Sequence, residues 1–179
     1  MAGATLEFRF TDEELRRATR QLRDRLARIR FRPLLTAIGN ELVTSVSRRF
    51  ETATAPDGSR WPQSLRVRRE GGQTLVKTAR LRDSISRAGP QVTARSVEVG
   101  TNVEYADIHQ FGATIPPHTI RARRARALRI PGIGCRRQVR HPGGLIPARP
   151  FLGLSAQDET IIQDMTEDWL RNKIAGMRR

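Results

Sequence analysis

Ser96-Val97-Glu98-Val99-Gly100-Thr101-Asn102-Val103-Glu104-Tyr105-Ala106-Asp107-Ile108-His109-Gln110-Phe111-Gly112 carries two periodicities back to back. From Ser96 to Gly100 apolar and polar residues alternate, the period of a half-buried strand, and a glycine closes it. From Tyr105 the period lengthens: Tyr105, Ile108 and either His109 or Phe111 stand at helical spacings until Gly112 stops the turn. Such a stretch, set among helices on one side and breaker-rich sequence on the other, predicts an α+β fold.

Working toward the N-terminus, Leu81-Arg82-Asp83-Ser84-Ile85 reads as a short helix. The segment before it is mostly loop, opened by the turn Ala55-Pro56-Asp57-Gly58 and by Trp61-Pro62. A longer helix is expected from Pro33 through Leu35, Ile38, Leu42, Val46 and Phe50, because proline suits a first helical turn. Another begins at the capping box Thr11-Asp12-Glu13-Glu14, after an alternating Leu6, Phe8, Phe10. Its apolar stripe of Leu15, Ala18, Leu22, Leu26 and Ile29 is narrow and flanked by arginines, which places it on a surface or between subunits. These two helices are expected to pair as an antiparallel hairpin. Toward the C-terminus, Ile161, Ile162, Met165 and Trp169 mark a helix that also carries Asp158, Glu159, Asp164, Glu167 and Asp168. The expectation is one domain over residues 1–179, with a small antiparallel sheet packed with the N-terminal helical hairpin and the C-terminal helix.

Charge is the unusual property. Of 179 residues 33 are basic and 18 acidic, a net +15; only Lys77 and Lys173 are lysines, so 33 − 2 leaves 31 arginines. The planar guanidinium fork suits phosphate or carboxylate, although a G+C-rich coding sequence would also raise arginine over lysine without raising the net charge. From Ile108 to Gln157 there is no acidic residue, whereas Arg121, Arg123, Arg124, Arg126, Arg129, Arg136, Arg137, Arg140 and Arg149 all fall there. Pro116-Pro117, Pro131-Gly132 and Pro142-Gly143-Gly144 forbid a long helix, so residues 114–146 are expected to form an extended basic arm. The arm faces water, phosphate or an acidic protein surface, and a copy of the same chain offers such a surface on its C-terminal helix.

Chemistry of other kinds finds little footing. His109, His118 and His141 lack metal-ligand spacing, the single Cys135 has no orienting partner, and no phosphate-binding glycine loop is present, so no cofactor or metal is expected and the chain does not read as an enzyme. One cysteine excludes an internal disulfide, and neither a signal peptide nor a membrane span is visible, which predicts a soluble product of a reducing compartment. Aromatics do not interleave with the arginines, which argues against sequence-specific reading of nucleic acid and leaves a nonspecific nucleic-acid-binding protein, contacting DNA through the arginine-rich arm, as the alternative function.

An ordered series of segments carries a family resemblance: Phe50, Pro56-Asp57-Gly58, Trp61-Pro62, Lys77-Thr78-Ala79-Arg80-Leu81-Arg82-Asp83-Ser84-Ile85, Val97-Glu98-Val99-Gly100-Thr101, Tyr105 to Gly112, and Ala148-Arg149-Pro150-Phe151-Leu152-Gly153-Leu154-Ser155. Over about residues 30–175 the chain resembles the phage virion morphogenesis family, the tail-completion or neck proteins of tailed, Mu-like phages. The resemblance implies a non-enzymatic virion protein of neck or tail, assembled in the host cytoplasm as a six- or twelve-fold homo-oligomeric ring. Its partners would be the head connector and the tail terminator or tube proteins, with packaged DNA in the channel as an alternative partner of the arm. It also implies that Trp61, Leu81, Ile85, Tyr105, Phe111 and Phe151 are packing or turn anchors, within a motif that includes His109, Gly112 and Arg149. Read from its residues, Gly112 closes a helix, Gly100 closes a strand, and His109 is a hydrogen-bonding residue at the edge of the core.

Overall fold

The computed structural model describes residues 12–27, 29–123, 126–130 and 134–177. The Leu6-Phe8-Phe10 alternation, the Thr11 cap, Arg124 and Pro131-Gly132 lie outside the described residues, as do the side chains of Leu22 and Leu26. Helix α1 spans Asp12–Ala27, with Asp12, Glu13 and Glu14 in its first turn. Ion pairs Asp12–Arg16 and Glu13–Arg17 run one turn along it, each worth about 0.3–0.5 kcal/mol. Leu15, at the start of the apolar stripe, is 61% exposed, as expected of a helix on a surface or between subunits.

Helix α2 (Arg32–Thr52) is the central element. Leu34, Ile38, Val46 and Phe50 are buried along one side, and Ala53 ends the helix in the left-handed conformation. Its packing partners are the C-terminal helix α6 (Ala156–Met177), the short helix α4 (Arg80–Ala88) and the two-residue strands β1 (Gln91–Val92) and β2 (Val97–Glu98). α6 packs on α2 with Ile161, Ile162, Met165 and Trp169 half-buried, and among the described residues the expected pairing of α1 with α2 makes no comparably large contact. At the near end, Phe31 lies against Trp169 with ring centroids 5.2 Å apart.

Between α2 and α4 the chain forms the Ala55–Gly58 turn and then α3 (Leu65–Glu70), a one-and-a-half-turn helix where loop was expected; Ser64 caps it by accepting from the Val67 amide. Phe50, Trp61, Leu81, Ile85, Val103, Ala106 and Phe151 meet in the core with Val46 and Ala55. Phe50 is its centre, edge-on to Trp61 at 5.4 Å and tilted on Phe151 at 5.5 Å.

The architecture is α+β, with the strands distributed over four two-stranded antiparallel pairs instead of gathered into one sheet. After α5 (Ala106–Phe111) the remaining strands nest. β3 (Ala113–Ile115) pairs with β8 (Gly144–Ile146), β4 (His118–Arg121) with β7 (Gln138–His141), and β5 (Leu128–Ile130) with β6 (Gly134–Arg136). No described helix is long and apolar enough to cross a membrane.

Candidate functional site

The basic arm is a β-ribbon, and its register explains where its arginines stand. Ile115 faces Gly144 and His118 faces His141, so two residues on each strand (Pro116-Pro117 and Pro142-Gly143) separate the first two pairs and one register runs through both. Proline has no amide to donate, which is why the ladder breaks there without slipping. Beyond Arg121–Gln138 the register changes, because Leu128 meets Arg136: more positions separate the two ladders on the outgoing strand than on the returning one, and Arg123 and Arg126 stand in that longer interval.

Arg121, Arg123, Arg126, Arg129, Arg136, Arg137 and Arg140 are all exposed, and none has a carboxylate partner among the described residues. Thr119 opposite Arg140 and Arg121 opposite Gln138 form one face of the ribbon. On the other, His118 stacks on His141 at 5.0 Å and Ile120 faces Val139. His118 Nδ1 lies 2.9 Å from the Pro116 carbonyl, and His141 Nδ1 accepts from the Gly143 amide. Both rings thus brace the proline break. Cys135 is exposed opposite Arg129. Among the described residues no three histidine, cysteine or carboxylate side chains gather as metal ligands.

Arg149 belongs to a different part of the molecule from the seven described arginines of the ribbon. It is 5% exposed, its Nε donates to the Pro62 carbonyl at 2.7 Å, and burial lowers its pKa. Trp61 Nε1 returns the connection by donating to the Pro150 carbonyl at 2.9 Å. Gln110 completes the clamp: its Oε1 accepts from the amides of Phe151 and Leu152, both at 3.0 Å, while its Nε2 donates to the Leu152 carbonyl at 2.9 Å. The Arg149 amide donates to the His109 carbonyl at 2.7 Å. The segments that flank the ribbon, α5 before it and residues 149–152 after it, are therefore bonded to each other and to the core.

Of the motif residues, Trp61, Leu81, Ile85 and Phe151 are buried. Tyr105 and Phe111 are not: they are 36% and 78% exposed, and with Ile108 at 37% they line the outer side of α5. The inward side is Ala106, His109 and Gln110, because Gln110 satisfies buried backbone groups that an aromatic ring would leave unpaired. His109 packs edge-on to Tyr105 at 5.8 Å, and its buried Nδ1 has no partner among the described residues. Burial, and then the nearby Arg149 charge, lowers the His109 pKa. Gly112 has φ +77°, and a Cβ there would lie 2.9 Å from the Ile146 oxygen and the Ala148 nitrogen. Gly100 meets nothing and lacks a positive φ, so conformational freedom is not its role.

Arg49 and Asp158 form a pair that sequence reasoning did not single out. Their side chains are 6% and 4% exposed and ion-paired, and Arg49 also donates to the carbonyls of Phe151 (3.0 Å) and Gly153 (2.8 Å). Ser155 and Asp158 cap α6 reciprocally: the Ser155 amide and hydroxyl donate to Asp158 Oδ2 at 2.8 and 2.7 Å, and the Asp158 amide donates back. Burial alone pushes the Asp158 carboxyl up, but hydrogen bonds from Ser45 and Ser155 and the Arg49 charge outweigh it and leave its pKa lowered. The available signals were an arginine on the apolar side of α2, between Val46 and Phe50, and the Ser155-x-x-Asp158 spacing.

Comparison with known proteins agrees with the architecture of motifs. The sequence model of the phage virion morphogenesis family matches residues 10–171. A curated relative, "Mu-like prophage FluMu G protein 2" of Haemophilus influenzae (strain ATCC 51907 / DSM 11121 / KW20 / Rd), is 32% identical over 139 residues, 78% of this chain and 78% of that protein. No solved structure matches the chain.

Proposed function

The chain belongs to the phage virion morphogenesis family, and from that premise we propose that it is a structural protein of the virion neck, which completes the tail and joins it to the head connector as one subunit of a six- or twelve-fold ring. It works by contact and not by catalysis. The observation that carries this reading is the pairing of an exposed arginine ribbon with a base clamped through Trp61, Gln110, Arg149 and Phe151. A rigid anchor under a charged projection transmits force and position between proteins, and it leaves the arginines free for a partner.

The test replaces residues 114–146 by a short turn in the phage. The subunit is expected to remain folded, since the aromatic core lies outside that segment, while electron micrographs show filled heads and tails unjoined. Infectious particles at normal yield would overturn the proposal. A second reading places the same seven exposed arginines against packaged DNA. It predicts that the purified protein binds duplex with a steep salt dependence, the logarithm of affinity falling by about 0.9 per tenfold increase in salt for each phosphate contacted.

A further inference from the structure

We propose that the arginine ribbon of one copy docks along the exposed acidic face of α6 of a second copy, so that successive copies associate head to tail; this rests on the ring reading above and names its contact.

Four observations lead there. First, the described strands of the ribbon form two-stranded pairs, and their larger packing contacts are with one another and not with a helix. A two-stranded hairpin alone in water is marginally stable, so this one gains order from whatever covers it. Second, its seven described arginines outside the clamp have no carboxylate partner among the described residues.

Third, α6 presents the complementary surface. Asp158, Ile161, Ile162, Met165 and Trp169 turn inward, while Gln163, Asp164, Glu167 and Asp168 lie exposed one turn apart on the opposite side. Asp168 has Arg171 as a neighbour at 3.6 Å, but Asp164 has no cationic partner among the described residues. Within one chain α6 packs on α2, so ribbon and acidic face do not neutralise each other there.

Fourth, the spacings are of one scale: Arg140, opposite Thr119, and Arg121 stand two ladder positions apart on one face of the ribbon, about 7 Å at ~3.3 Å per residue, and Asp164 and Asp168 stand about 6 Å apart along α6 at ~1.5 Å per residue. Ribbon and helix are different surfaces of one chain, so their contact is heterologous and closes into a ring when the rotation between copies fits.

The experiment uses the full chain and charge reversal. Arg121→Glu with Arg140→Glu, or Asp164→Arg with Glu167→Arg, should each weaken assembly at least about tenfold by light scattering at physiological salt, where screening acts over about 8 Å. The chain carrying both reversals should assemble again. All four positions are exposed, and circular dichroism checks that each variant is folded. As a second measurement, Cys135→Ser removes the single cysteine, and Thr119→Cys with Gln163→Cys should then give a covalent ladder extending beyond the dimer.

Assembly unaffected by either reversal, with no ladder, overturns this contact and leaves the ring reading standing on another face. A wild-type chain that stays monomeric at every concentration overturns both. If the ribbon reversal abolishes duplex binding and leaves assembly unchanged, DNA and not a second copy is the ribbon's partner.

Discussion

Phe151 and Phe111 occupy equivalent-looking places beside a proline or a glycine, yet they differ completely in what they hold. Phe151 is fully buried against Phe50, so Phe151→Ala should cost about 3–5 kcal/mol in urea unfolding. Phe111 is 78% exposed, and Phe111→Ala should move stability by less than about 0.5 kcal/mol. Aromatic identity was legible in the sequence, but its direction was not: a six-residue helix has too few turns for spacing to choose a face, and Gln110 chose it by bonding the Phe151 and Leu152 backbone. Asp158→Asn leaves Arg49 buried without its counter-charge and should cost about 3–5 kcal/mol. Two residues also set a response to acid. His109 is held below the ordinary histidine value of 6.5, so the unfolded chain takes up the proton more readily; its contribution to stability is present above pH 6.5 and is lost as pH falls through its lower folded value. Asp158 is held below the ordinary 3.8, and its contribution goes the same way at lower pH. Thermal melts across pH should therefore show two successive losses, the first absent in His109→Phe and the second in Asp158→Asn.

At the scale of elements, the ribbon and α2 should differ sharply in amide exchange. α2 buries one side in the core, whereas the described ribbon strands pack mainly on one another, so ribbon amides should exchange orders of magnitude faster in the free subunit and become protected on assembly. A ribbon that exchanges as slowly as α2 in the monomer would contradict this. Gly112→Ala should loosen the ribbon at its root, because the added Cβ meets backbone that cannot move aside without breaking the β3–β8 pair. Helices α2 and α6 were readable from apolar spacing over five or six turns, and the arm from its prolines and its lack of acids. Among the described residues the hairpin expected of α1 and α2 is not one of the larger contacts of α2, since apolar spacing identifies a face and not the element that covers it. Helix α3 escaped notice because one and a half turns carry almost no periodic signal.

For the whole molecule, a net charge of +15 makes every association sensitive to salt. The sequence by itself determined the α+β class, the long helices, the segregation of arginines from carboxylates and the family, all of which follow from local period, composition or ordered motifs. Only the tertiary structure separated Arg149, a buried clamp, from the exposed arginines a few residues away, and only it paired Arg49 with Asp158 across more than a hundred positions of chain. The physical reason is that burial and pairing depend on which surfaces meet in space. A charged side chain has the same signature in sequence whether it stands in water or closes a core.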